Sequence, residues 1–251
     1  MADFDILKLD YPVYEGIGLP KMRNFLENAG QTIQNIKDLK LGPDAVILAT
    51  FPRSGTHWVY EIAHMLLTKK AEYATKSREA VYLEGLPDLG PLQSYNHIVS
   101  THLPFQWLPQ QHVEREVMFG GWFNYNKAFI RESEVRKDQI IMLQYEKLQR
   151  NTIWELKRLA KFLDVKDADP LFPEIAEKCG FDNLKAADER VRNDSTMAEI
   201  IKSMNLKKIP TLYRKGKVGD WKNYFTVAMN ETFDKIYADT MKNVAIDIDF
   251  V

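Results

Sequence analysis

The sequence has little cysteine and no long apolar run. Cys179 is the one thiol in 251 residues, so no disulfide can form within the chain, which suits a reducing compartment. No uninterrupted apolar stretch is long enough to cross a bilayer. Residues 1–14 lack the basic start and the apolar stretch of a secretory leader. These absences predict a cytoplasmic protein that does not bind a membrane.

The charge shows no excess of either sign. Lys and Arg total 34 against 35 Asp and Glu, for a formal net charge of -1. This balance gives no overall electrostatic reason to bind nucleic acid. The five histidines show no metal-ligand spacing with one another or with Cys179, so no metal site is predicted.

Hydrophobic periodicity predicts an α/β fold. Three short apolar runs, at residues 45–50, 97–101 and 139–144, are typical of strands in a parallel sheet covered on both faces. Apolar residues at helical spacing predict helices over residues 57–69, 152–163 and 227–242, the second opened by a capping box of Thr152 and Glu155. Residues 182–210 predict a helix followed by a binding loop. No Pro/Gly/Ser-rich linker interrupts the chain, which indicates a single domain over residues 1–251, with a layered parallel sheet flanked by helices.

The segment PRSGTHW, at residues 52–58, lies between the first predicted strand and a helix. Gly55 allows a tight turn, and the helix that follows begins with free N–H groups that favour an anion. Arg53, Ser54 and Thr56 add a charge and hydroxyl donors. The segment predicts an anion site, with a capped turn and a solvent-facing arginine as the alternative. The GxxxxGK[ST] spacing of a Walker loop is absent, which disfavours a P-loop kinase.

Two further segments carry candidate chemistry. THLP, at residues 101–104, puts His102 at the carboxyl end of a predicted strand, where ligands bind in open α/β sheets. A histidine there can act as a general base, and a hydrogen-bonded structural histidine is the alternative. Arg214, Lys215 and Gly216 lie in a cationic loop able to wrap a phosphate, with a solvated charged turn as the alternative.

In combination, these segments resemble the cytosolic sulfotransferases. PRSGTHW is similar to the family's PKSGTTW-like loop for the 5′-phosphosulfate, and STHLP (residues 100–104) to the segment with the catalytic histidine. RKGKVGDWKNYFT, at residues 214–226, is similar to the family's C-terminal signature. The resemblance implies a P-loop-like, sulfotransferase-type fold.

The resemblance also implies an activity. It is transfer of a sulfuryl group from 3′-phosphoadenylyl sulfate (PAPS) to a small phenol, alcohol, steroid or amine, without a metal. His102 and Arg53 would be catalytic. The aromatic residues Tyr82, Phe105, Phe123 and Tyr125 are candidates for an acceptor pocket, with a place in the hydrophobic core as the alternative. The donor would be held by Arg53, Ser54, Gly55, Thr56, His57, Trp58, Tyr145, Phe181, Arg214, Lys215 and Gly216.

The family's KxxxTVxxxE dimer motif matches Lys222, Thr226, Val227 and Glu231, which predicts a homodimer. The alternative to an enzyme is a non-catalytic relative that retains the fold, the dimer motif and weak nucleotide binding.

Three departures from the family pattern stand out. Arg53 and Ser100 replace lysines of the two motifs. Near residues 112–118 the chain lacks a strand, a turn and the start of the helices that carry an arginine and a serine for the donor's 3′-phosphate. In the family this strand lies beside the one predicted at residues 45–50. We therefore expect a chain break or an abnormally long Cα–Cα step between residues 111 and 118.

Overall fold

A computed structural model describes residues 11–109, 121–191, 213–242 and 244. The chain divides into two compact units, each described by itself. Among the described residues, the first unit contains residues 11–52, 75–109 and 187–191, and the second contains residues 53–74, 121–186, 213–242 and 244. No helix in these ranges is long and apolar enough to cross a membrane.

The described part of the chain contains four short strands and eight α-helices. The strands are β1 (Val13–Tyr14), β2 (Ile17–Gly18), β3 (Val46–Ala49) and β4 (Ile98–Thr101). The helices are α1 (Arg23–Asp38), α2 (Thr56–Thr68), α3 (Gly121–Val135), α4 (Tyr145–Arg150), α5 (Thr152–Phe162), α6 (Phe172–Lys178), α7 (Phe181–Val191) and α8 (Val227–Met241).

The first unit is built around β3 and β4, which pair in parallel with Val46 opposite Ile98 and Ala49 opposite Thr101. The Thr50 N–H donates to the Thr101 carbonyl at 3.1 Å and extends the pairing by one residue. β4 is fully buried, and its other edge meets Tyr82 through a bridge to Ser100. The strands predicted at residues 45–50 and 97–101 are confirmed.

The third predicted strand, at residues 139–144, is wrong. Residues 137–139 form a turn, and residues 140–144 lead to the start of α4 without regular secondary structure and without pairing to any strand in the described ranges. Their side chains are only half-buried. An apolar run provides side chains that can be buried, but a strand also needs a neighbouring backbone that forms hydrogen bonds with its N–H and C=O groups.

The second unit packs α2 against α5, and α5 against α6. Its core consists of side chains with little or no exposure: Tyr60, Ile62, Met65, Leu66, Leu156, Leu159, Ile175 and Cys179. The helices predicted at residues 57–69, 152–163 and 227–242 correspond to α2, α5 and α8.

The predicted capping box of α5 is wrong. Asn151 is the N-cap, and its side-chain oxygen accepts from the Trp154 N–H at 3.2 Å. Thr152 is the first helical residue and donates its hydroxyl to the Leu148 carbonyl at 2.9 Å. Glu155 pairs with Arg158 instead of reaching back over the helix start. Asn and Thr are both favoured at the N-cap of a helix. The sequence therefore predicted the cap at Thr152, one residue after its position in the structure.

Two expectations fall on undescribed residues. The helix predicted at the start of residues 182–210 is present as α7, whereas the loop expected after it, at residues 192–210, lies outside the described residues. The break expected between residues 111 and 118 also lies outside them and stays a prediction.

The cap of α5 can be tested by mutation. We expect Asn151→Ala to lower the free energy of unfolding by about 1 kcal/mol, because the Trp154 N–H loses its acceptor. Thr152→Ala is the matched control and should cost clearly less. Urea unfolding followed by circular dichroism measures both, and a larger loss for Thr152→Ala would return the cap to Thr152.

Candidate functional site

The loop before α2 makes a tight turn with two residues in the left-handed conformation. Arg53 and Gly55 have φ angles of 66° and 99°, and Gly55 is the N-cap of α2. The left-handed conformation of a non-glycine residue costs energy, so its presence at Arg53 marks a constrained turn. Arg53 and Ser54 are exposed, His57 is half-buried and Thr56 is buried. The start of α2 thus offers a positive dipole end beside an exposed guanidinium.

Gly55 packs closely against an aromatic pair. A Cβ at Gly55 would lie 3.3 Å from Cδ2 of Tyr145, closer than nearly all such contacts, and its φ angle already favours glycine. The Trp58 and Tyr145 rings meet edge to face, with centroids 5.5 Å apart. The Trp58 Nε1–H is buried with no hydrogen-bond partner in the described part of the chain. Burial raises the pKa of the Tyr145 hydroxyl, so the phenol stays protonated.

Gln149 connects this pair to the loop at Gly216. Its amide donates to Oη of Tyr145 at 3.3 Å and to the Gly216 carbonyl at 3.1 Å. Gly216 has a φ of 64°, and a Cβ there would overlap the ring of Phe181. The second unit therefore brings Gly55, Trp58, Tyr145, Gly216 and Phe181 into one chain of contacts. Gln149 was missed by the sequence analysis because it belongs to no recognised motif.

The predicted phosphate cations are already paired. Lys215 contacts Oδ1 of Asp220 at 2.7 Å, and Arg214 forms an ion pair with the same carboxylate. Asn223 also donates to Oδ1, at 2.9 Å. The hydrogen bond from Lys215, with support from Asn223 and Arg214, lowers the pKa of Asp220 to about 2. The carboxylate of Asp220 therefore joins the two ends of the loop at residues 214–220.

His102 follows β4 in the first unit. Its Nδ1 lies 2.9 Å from the Thr50 carbonyl and 3.1 Å from the Thr50 hydroxyl. Its Nε2 lies 2.9 Å from Nη2 of Arg78. Tyr82 meets the imidazole ring edge to face, with centroids 5.3 Å apart.

These partners define the tautomer of His102. A carbonyl only accepts, so the proton is on Nδ1 and is donated to Thr50. A guanidinium only donates, so Nε2 carries the lone pair. The nitrogen that a general base would use is the one on the side of Arg78.

A buried carboxyl holds the backbone of His102. Glu84 is 1% exposed, and its Oε1 accepts from the His102 N–H at 2.5 Å. Burial raises the pKa of Glu84 from 4.5 to about 7, opposed by the His102 N–H and the charge of Arg78. Neither Glu84 nor Arg78 was predicted from sequence, because their contacts with His102 exist only in the folded chain. Of the aromatic residues predicted for the acceptor, Tyr82 contacts His102, whereas Phe123 packs against Phe233 and Tyr237 of α8.

A family model described as "Sulfotransferase domain" matches residues 43–117 and 110–245. The chain belongs to the sulfotransferase family. Sulfotransferase 1E1 of Bos taurus is 29% identical over 282 positions that cover 90% of this chain and 91% of the relative. Cytosolic sulfotransferase 1 of Danio rerio is 24% identical over 303 positions, covering 98% and 97%.

Solved structures confirm the sulfotransferase fold. Mouse sulfotransferase SULT7A1, complexed with PAP, superposes with a TM-score of 0.67 at 20% identity over 92% of this chain and 95% of the other. Retinol dehydratase, in a complex with retinol and PAP, gives 0.65 at 18% identity over 90% and 88%. The fold predicted from sequence is thus confirmed as the sulfotransferase α/β fold.

The sulfotransferase match is interrupted at one place. Its two segments overlap at residues 110–117, the region in which a missing strand and turn are predicted from sequence. The alignment with the Bos taurus relative spans 282 positions, more than the 251 residues of this chain. This sulfotransferase-family chain therefore lacks residues that its relative carries.

The raised pKa of Glu84 makes stability depend on pH. The folded state favours the protonated carboxyl. The stabilisation of the folded state that results is complete below pH 4.5 and is lost as the pH rises to about 7. We expect Glu84→Gln, which keeps an oxygen to accept from the His102 N–H, to remove that loss. Relative to the wild type, the variant should gain on the order of 3 kcal/mol in unfolding free energy across this window.

Urea unfolding at a series of pH values measures this gain, with Glu27→Gln on the exposed face of α1 as control. If the wild type and Glu84→Gln keep a constant difference from pH 4.5 to 7.5, Glu84 does not titrate in this range.

Proposed function

We propose that this protein transfers a sulfuryl group from PAPS to the hydroxyl or amine of a small acceptor, with His102 as general base. The observation that carries the proposal is the 2.9 Å contact between Nδ1 of His102 and the Thr50 carbonyl, which assigns the proton to Nδ1 and the lone pair to Nε2. Membership of the sulfotransferase family supports it. Solved relatives complexed with PAP, the desulfated donor, support it further.

In this proposal the second unit holds the donor nucleotide. Gly55 and Gly216 let backbone approach the Tyr145 and Phe181 rings, and the Trp58 Nε1–H is buried without a partner among the described residues. When bound, the donor supplies the sulfuryl group and a phosphate that leaves.

The proposal gives each donor residue a role. Arg53, Ser54, Thr56, His57 and the N–H groups at the start of α2 would hold the phosphosulfate, since a helix N-terminus and a guanidinium both favour anions. Trp58 and Phe181 would flank the adenine, and Tyr145 would line the nucleotide. Arg214, Lys215 and Gly216 would hold the 3′-phosphate.

His102 would take the acceptor's proton on Nε2 as the acceptor attacks sulfur. The imidazolium that results keeps its Nδ1–H on the Thr50 carbonyl, which stabilises the new positive charge. Arg53 would offset negative charge on the leaving phosphate and so assist its departure. The protein's own cations do this work in the proposal, which needs no metal. In the described ranges, no group of three or more His, Cys, Asp or Glu side chains could hold one.

We further propose a cytoplasmic, single-domain protein that acts as a homodimer. A non-catalytic relative is the second candidate, favoured by the interrupted family match at residues 110–117. Such a protein would bind PAP weakly and transfer nothing, so the two candidates differ in turnover.

The roles of His102 and Arg53 can be separated by mutation. We expect His102→Ala to lower kcat by about 10²–10⁴-fold, because the acceptor proton loses its base, while the affinity for PAP stays within about threefold of the wild type. Arg53→Ala should weaken PAP as well as slow transfer, since its charge meets the donor in the ground state. His64→Gln on α2 is the control.

Transfer is measured with labelled PAPS against a panel of phenols, alcohols, steroids and amines, and PAP affinity by calorimetry. Full activity of His102→Ala with an unchanged pH profile removes His102 from the mechanism. A wild type that binds PAP but sulfates nothing in the panel points to the non-catalytic candidate.

The dimer proposal places Lys222, Thr226, Val227 and Glu231 at a two-fold contact. Val227 is 76% exposed at the start of α8, and Thr226 is the N-cap of that helix. We expect Val227→Glu to give monomers, because each copy would bring an unpaired charge to the contact. Sedimentation velocity tests this, with Lys235→Glu on the same helix as control. A wild type that sediments as a monomer at high concentration refutes the dimer.

A further inference from the structure

Arg78 is a buried cation in contact with the proposed base. It is 5% exposed and lies in a short 3-10 turn, Arg78–Val81. Its Nη2 lies 2.9 Å from Nε2 of His102, and its guanidinium carbon lies 4.1 Å from the centre of the Tyr82 ring. Arginine is almost never fully buried without partners, so this position needs an explanation.

The backbone fixes Arg78 beside His102. Tyr82 forms a bridge to Ser100 on β4, two residues before His102. Glu84, farther along the same segment, accepts from the His102 N–H. The guanidinium therefore lies over the Tyr82 ring, on a segment that contacts the β4 region at Ser100 and at His102.

Arg78 also has one unsatisfied hydrogen-bond donor among the described residues. Its Nε–H is buried and has no hydrogen-bond partner in the described part of the chain. The single lone pair of Nε2 already faces Nη2, so the imidazole cannot also accept from this Nε–H. A group that enters between the two side chains and displaces Nη2 from Nε2 can accept from the guanidinium and donate a proton to the imidazole.

We propose that Arg78 contacts the acceptor and selects hydroxyl groups over amines. This inference rests on the proposed function and narrows its acceptor class. A hydroxyl that enters between the two side chains donates its proton to Nε2 of His102 and accepts from Nη2 of Arg78. Both groups that now face each other are then satisfied by one oxygen atom.

The selection follows from the number of lone pairs. A hydroxyl oxygen has two, so one accepts from Arg78 while the other attacks sulfur. An amine nitrogen has one lone pair, which cannot both accept from Arg78 and attack. A protonated alkylamine meets a further obstacle, because it brings a second positive charge beside a buried guanidinium.

The proposed step balances. The acceptor oxygen forms a bond to sulfur, the bond from sulfur to the phosphate oxygen of PAPS breaks, and its electron pair leaves with the phosphate. The hydroxyl proton goes to Nε2 of His102. Arg78 donates to the second lone pair of this oxygen and so holds the oxygen in place for its attack on sulfur.

A matched acceptor pair tests this selection. 2-Naphthol and 2-naphthylamine share one ring system and are both neutral near pH 7, so they differ mainly in the attacking atom. We expect the wild type to favour the naphthol in kcat/KM by about 10²-fold, the factor that misplacing a reacting atom typically costs. Arg78→Met should lower naphthol transfer by a similar factor and leave naphthylamine transfer within about threefold.

Further variants separate selection from general damage. Arg78→Lys retains a charge and a donor and should keep part of the preference. Arg23→Gln, which breaks an exposed ion pair on α1, should behave as the wild type. Circular dichroism and PAP affinity confirm folding of each variant. Equal losses for both acceptors in Arg78→Met, or a wild type without preference, overturn the inference and leave sulfuryl transfer itself in place.

If the wild type transfers nothing, the proposed function is refuted. A binding measurement then tests the role of Arg78 separately. Fluorescence titration without donor should show naphthol bound more tightly than naphthylamine by the wild type, and equally by Arg78→Met. Equal affinities in the wild type would refute the role of Arg78 independently of catalysis.

Discussion

The hydrogen bond from Nδ1 of His102 to the Thr50 carbonyl fixes the orientation of the imidazole relative to the strands of the first unit. β3 and β4 pair in parallel, and the pairing continues to the Thr50 N–H and the Thr101 carbonyl. Thr50 and His102 are thus the residues at which the two strands end side by side. Because parallel strands present their carboxyl ends at one edge, the imidazole meets a carbonyl that the sheet itself holds in place. The orientation of Nε2, and with it every role given to His102 and Arg78, depends on this pairing.

The second unit achieves its arrangement through close approach of glycine to aromatic rings. Gly55 lies against Tyr145 and Gly216 against Phe181, and Gln149 joins the two contacts by hydrogen bonds. Both glycines have positive φ angles, so a larger side chain would be strained as well as crowded. Segments far apart in sequence are held together here by a few contacts that tolerate little change.

Much of this arrangement could be predicted from sequence. β3, β4, α2, α5 and α8 follow from local hydrophobic patterns, and His102 was correctly placed at a strand end because the pattern stops just before it. The strand at residues 139–144 was wrong because pairing depends on a neighbour that the apolar run does not reveal. Arg78 and Glu84 were missed for a related reason. Arg78 lies 24 residues before His102, and only the bridge from Tyr82 to Ser100 brings the segment alongside β4.

The pairing of Asp220 with Arg214 and Lys215 gives the cationic loop an internal competitor. If these cations hold a phosphate as proposed, the incoming anion replaces a carboxylate that already occupies them, and the affinity reflects an exchange between two anions. Because one set of ion pairs is broken as another forms, screening by salt affects both sides of the exchange. Nucleotide binding at this loop should therefore be less sensitive to ionic strength than the number of its cations suggests. The same carboxylate keeps the loop folded and the two cations close together in the absence of nucleotide, which reduces the conformational entropy lost when the anion arrives.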